Sequence, residues 1–146
     1  MPTAAKLVAA LSFAFLAWVT GIMVEDTMPD TQRVGRMYPV AIACGAIMGW
    51  FISGAAKRSR MFEAASTGMR TAVIATLAAL FLLALGTMIQ ISLRGRYRSP
   101  MDAVLDVLNQ FYDFGGLLMN LPVLVTIILG GAVAGVVTEA AGRRWR

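Results

Sequence analysis

Residues 71–93 read TAVIATLAALFLLALGTMIQISL, 23 consecutive positions without a charge. Wound as a helix, such a run is about 34 Å long, and the hydrocarbon core of a bilayer is about 30 Å thick. A strand reading fails, because the run does not alternate and strands cross membranes only as closed barrels. Three more uncharged runs occur: Leu7–Val24 (18 residues), Met37–Ala56 (20) and Phe114–Thr138 (25). All lie within the roughly 17–25 residues of a spanning helix. The sequence therefore predicts an all-α membrane protein forming one domain over residues 1–146, with spans at about 5–24, 37–56, 71–93 and 120–140. The first run is read as a retained span and not a signal peptide, since the following TGIMVEDT lacks a small-x-small cleavage site.

Composition points the same way. Hydrophobic residues make up 58% and charged residues 14%, with a mean hydropathy of +0.71; a soluble domain carries about 25% charge. No histidine is present, which excludes imidazole acid–base chemistry and histidine metal sites. One cysteine, Cys44, permits no internal disulfide and no CxxC pair. The net charge of +5 implies no nucleic-acid partner, because the basic residues sit at the ends of apolar runs, where membrane proteins place them. Membrane lipids are the expected surroundings. The ten methionines include no Met-x-Met or Met-x-x-Met pair, so they read as flexible core filling and not a copper site. Ser12, Thr76, Thr87 and Thr126 are the hydrogen-bonding side chains deep in the runs, and no ionisable one is expected there. That disfavours an ion-coupled transporter. No catalytic constellation, cofactor site or metal site is recognisable.

Counting lysine and arginine sets the orientation. With four spans, Lys6, Lys57, Arg58, Arg60, Arg70, Arg143, Arg144 and Arg146 share one side, against Arg33, Arg36, Arg94, Arg96 and Arg98 on the other. Eight against five places both termini in the cytoplasm. The acidic loops, with Glu25, Asp26, Asp30, Asp102, Asp106 and Asp113, then face outward.

Between the third and fourth runs lies SPMDAVLDVLNQFYDF, residues 99–114. Ser99 suits an N-cap, Pro100 the first helical position and Asp102 the first turn. At about 100° per residue, Asp102, Asp106, Asn109 and Asp113 gather on one side, with Leu105, Leu108 and Phe111 opposite. The pattern predicts an interfacial amphipathic helix over about 100–114. It rests on lipid or on the ends of the spans, with Gly115-Gly116 as the hinge into the fourth span. Its acidic face is a contact for a partner or simply a solvated surface.

Small residues recur at four-residue spacing. Ala41, Gly45, Gly49 and Ser53 line one side of the second run, and Gly131 and Gly135 lie in the fourth. Such stripes let helix backbones approach closely, within the bundle or against a second chain. Cys44, beside Gly45, reads as a packing residue, since a buried thiol without a base or metal stays inert. Glu139 and Arg143, one turn apart, read as a salt bridge. Arg94, Arg96 and Arg98 close the third run as an interfacial anchor, or as ligands for lipid phosphates, a partner's acids or an oxyanion.

The opening MPTAAKLVAAL, LRGRY after the third run and the closing AGRRWR resemble the TrgA family, small membrane proteins of photosynthetic alphaproteobacteria named for tellurite resistance. The likeness extends end to end. It implies an inner-membrane protein tied to tolerance of the tellurite oxyanion, and it brings no catalytic residues. Three functions compete: non-enzymatic support of tellurite resistance, an accessory subunit of a respiratory or photosynthetic membrane complex, and, less favoured, a small transporter or channel.

Overall fold

The computed structural model describes residues 4–26, 37–54, 61–93 and 100–144. All regular structure among them is helical: α1 (Ala4–Glu25), α2 (Met37–Met48) continued by a π-turn (Gly49–Ser53), α3 (Met61–Leu93), α4 (Pro100–Leu118) and α5 (Leu121–Arg144). Three helices, α1, α3 and α5, are long and apolar enough to cross a membrane, while Met37–Ser53 is apolar but shorter.

The glycines set how these helices meet. A side chain at Gly45 would strike Phe13 and Ala17, one at Gly49 would strike Ala9 and Phe13, and one at Gly54 would strike Lys6. As α2 advances, its neighbours on α1 recede, so the two run antiparallel. Gly68 faces Gly131 and Gly135, while Gly135 also meets Ala64, which makes α3 and α5 antiparallel. Gly130 against Leu16 and Gly142 against Ala5 do the same for α1 and α5. The result is an up-down-up-down arrangement of α1, α2, α3 and α5. Its core holds Phe13, Val24, Ala72, Val123, Ile127 and Ala134, with Leu16, Met37 and Leu118 packed against it.

Extending the α3–α5 register at one residue per residue sets Leu121 level with about residue 80 of α3. The 33-residue α3 therefore overhangs its neighbours by about 13 residues, or about 20 Å. The α4 helix packs along α3, and its last residue, Leu118, returns to the bundle core.

Three boundaries differ from the sequence reading. The third helix begins at Met61 and not Thr71. Glu63 and Arg70 break the uncharged run but not the helix, because both are exposed while Ala64, Gly68, Thr71 and Ala72 are buried. The amphipathic helix runs through Gly115 and Gly116 to Leu118. Glycine weakens a helix by up to about 1 kcal/mol against alanine without ending it. The hinge is instead Met119–Asn120. The Asn120 carbonyl accepts the first hydrogen bond of α5 from Leu124 at 3.0 Å, the behaviour of an N-cap. Pro122 is free of conflict there, since the first turn's N–H groups have no intrahelical acceptor. Finally, α2 gives way at Gly49 to a π-turn closed by Gly54 N–H donating to the Gly49 carbonyl at 2.8 Å.

Candidate functional site

The residues singled out from the sequence fall into two places, the small-residue seams and the α4 end. In the first seam Gly45, Gly49 and Ser53 are buried and Ala41 is half-buried. A β-carbon at Gly45 would lie 2.5 Å from the Phe13 carbonyl oxygen, and one at Gly49 2.8 Å from that of Ala9. In the second seam Gly131 and Gly135 are buried against α3. Both stripes are thus occupied by helices of the same chain. Sequence reasoning missed the other half of the second seam, Ala64, Gly68 and Ala72. Their four-residue spacing was the available signal, hidden because residues 57–70 read as a loop.

Hydroxyls in the bundle are satisfied locally. Thr20, Thr71, Thr76, Thr87, Thr126 and Thr138 each donate to the carbonyl four residues back, at 2.8–2.9 Å. This pattern lets a threonine sit in apolar surroundings without a partner helix. Cys44 is a buried free thiol. Arg143 Nε donates to Glu139 Oε1 at 2.9 Å, one turn apart, as the sequence spacing implied. At the other end the Tyr38 hydroxyl donates to the Glu25 carboxylate, tying the start of α2 to the end of α1. Arg70 lies about level with Gly131, on the exposed side of α3. It is a cation deeper along the bundle than its place in a loop predicted. No group of three or more His, Cys, Asp or Glu suited to a metal ion occurs among the described residues.

The α4 helix carries three faces. Buried Ala103 and half-buried Val107, Gln110 and Phe114 meet the protein. Met101, Val104, Leu105, Leu108 and Tyr112 point away from it, with Leu105 52%, Leu108 59% and Tyr112 82% exposed. Asp102, Asn109 and Asp113 are exposed on the third face. By helical rotation the three face centres are about 120° apart. This corrects the simpler two-sided expectation: the protein itself does not shield Leu105 and Leu108, and Phe111 is only half-buried. Asp106, at the edge of the packed face, is half-buried and accepts a hydrogen bond from Gln110 Nε2 at 2.9 Å. Arg94, Arg96 and Arg98 lie outside the described residues.

No family model, no curated protein and no solved structure matches the chain.

Proposed function

We propose that the chain is a four-span protein of the bacterial inner membrane, with both termini cytoplasmic, which acts without catalysis and supports tellurite tolerance. The observation that carries the membrane reading is the shared register of α1, α2, α3 and α5. Met37–Ser53 is about 25 Å long, at the lower bound for crossing, and it lies antiparallel to α1 along nearly its full length. The outer surface of the bundle is mostly apolar, with Leu11, Phe15, Phe51, Phe81, Leu129 and Val133 more than half exposed, and Arg70, level with Gly131, is the charged exception on α3. Water would penalise that surface, and hydrocarbon would not.

The three faces of α4 fit a helix lying in the membrane interface beside α3. One face packs on protein, one enters lipid and one meets water. A spanning α4 would put its aspartates against lipid, at about 2.5–3.5 kcal/mol per residue on the mildest scale.

The tellurite role rests on the likeness to the TrgA family. Its test is growth of a deletion strain on tellurite, complemented by the intact chain. Normal tolerance in the deletion strain refutes it. The accessory-subunit reading draws on a separate feature. Ile89 and Leu93 of the α3 overhang are exposed, as is the outward stripe of α4, so apolar surface extends past the ends of α1 and α5. A stoichiometric large partner in a mild-detergent pull-down favours this second reading.

A further inference from the structure

Arg70 stands where the bundle is otherwise apolar. A β-carbon at Gly131 would meet Met69 and Ala72, which sets Arg70 level with the middle of α5. From Gly131 the helix runs ten residues to Leu121 and thirteen to Arg144, or about 15 and 20 Å. Exposed apolar side chains flank that level on both sides. Leu11 and Phe51 lie toward the Arg144 end, 71% and 68% exposed, and Phe81 and Leu121 lie toward the other. The Arg70 side chain is exposed on the outer side of α3.

Nothing in the chain answers this charge. Among the described residues no carboxylate pairs with Arg70, and none lies at its depth. Glu63 is seven residues nearer one end, about 10 Å along the helix. Glu139 stands eight residues beyond Gly131 in the same direction, and Glu25 and Asp26 close the opposite end of α1. A second copy offers no remedy. Copies in one membrane share an orientation, so two-fold pairing on this face sets Arg70 against Arg70. Lipid phosphates serve arginines near helix ends, whereas arginines at this depth almost always face a protein interior or a water-filled cavity. Arg70 faces out of its own bundle, so another protein must supply that interior.

The face around it is shaped for a helix. Ser66, Arg70, Val73, Leu77 and Phe81 lie within about 80° of arc. Ser66 is exposed, Val73 is 44% exposed, Leu77 49% and Phe81 51%. We infer that this face of α3 docks a membrane helix of a different protein, one that carries a carboxylate at mid-bilayer depth opposite Arg70. The inference rests on the membrane reading. The guanidinium supplies register and selectivity through charge-assisted hydrogen bonds, and the apolar stripe supplies packing.

The test reconstitutes the full chain in phosphatidylcholine vesicles with a synthetic leucine–alanine helix of about 21 residues. One version of the probe has glutamate at its centre and the other glutamine; the central position serves either orientation of the probe. A Cys44→Ser, Phe62→Cys background carries the fluorescent donor, since Phe62 is 87% exposed at the start of α3, and energy transfer to the probe reads association. The wild-type face should prefer the glutamate helix by about tenfold. Arg70→Leu should remove the preference, and Arg70→Lys should keep part of it. Arg70→Glu should turn the preference toward a probe with a central lysine. Equal association of the glutamate and glutamine helices overturns the inference, as does a preference that survives Arg70→Leu. Enrichment of spin-labelled phosphatidylglycerol that depends on Arg70, with no preference between the helices, assigns the guanidinium to lipid phosphate and also overturns it. Resistance of the same vesicles to carbonate extraction checks the membrane reading separately, so an inserted chain without the preference refutes this inference alone.

Discussion

Replacing Gly68 by alanine should weaken the bundle more than any other single methyl group added to a helix. A β-carbon there would lie 2.1 Å from the Gly131 carbonyl oxygen and 2.7 Å from the Gly135 α-carbon, and ordinary contact begins at 3.4 Å. Closing that gap requires α3 and α5 to separate locally by 1.3 Å, the difference between 3.4 and 2.1 Å. Both obstructing atoms are backbone, so no side-chain rotation relieves the clash. Overpacking costs about 1–3 kcal/mol, and a backbone obstruction belongs at the upper end, about 3 kcal/mol. Better helix propensity returns at most about 1 kcal/mol. The net expectation is a loss of about 2 kcal/mol. Gly86→Ala is the matched control, since nothing lies within 4 Å of its added carbon, and it should be neutral or stabilising by up to about 1 kcal/mol. Reversible unfolding in mixed detergent micelles, followed by helicity, measures both. Equal stability of the two variants would refute the close α3–α5 seam.

Gly45→Leu combined with Gly49→Leu should prevent folding or assembly, since both added side chains start within 3 Å of α1 backbone atoms. Cys44→Ser should leave expression and tellurite tolerance nearly unchanged; loss of tolerance at normal expression would give the thiol a role beyond packing. For α4, single cysteines in a Cys44→Ser background and a membrane-impermeant maleimide read the faces in intact membranes. Positions 102 and 113 should label strongly, position 106 weakly and positions 105 and 108 hardly at all. Strong labelling at 105 and 108 with protection at 102 would invert the helix.

Much of this fold was legible because uncharged runs report directly on hydrocarbon burial. The starts of α1 and α2 and the ends of α1 and α3 fall within one residue of the expected positions. The start of α3 was not legible, because charge marks where a helix meets water and not where it begins. Glu63 and Arg70 are exposed on a helix whose other side is pressed against α5. The hinge at Met119–Asn120 was masked by Gly115-Gly116, which look like breakers but remain helical. In α4 the periodic pattern revealed the polar and apolar faces. It could not reveal that the protein-facing side is a third, mixed strip around Ala103 and Gln110, since that choice depends on which side of α3 is free. Small-residue spacing marked the stripe Gly45–Gly49 and the pair Gly131–Gly135, while the identity of the facing helix came only with the three-dimensional register.

The claim on which the rest depends is that Met37–Ser53 crosses the membrane despite its length. Alkaline phosphatase and a cytoplasmic fluorescent reporter, fused in parallel after Asp30, Arg58, Gln110 and Arg146, measure this directly. Four spans with cytoplasmic termini predict active phosphatase after Asp30 and Gln110, and fluorescence after Arg58 and Arg146. Matching reporter behaviour after Asp30 and Arg58 would mean that α2 does not cross, leaving three spans and contradicting the account.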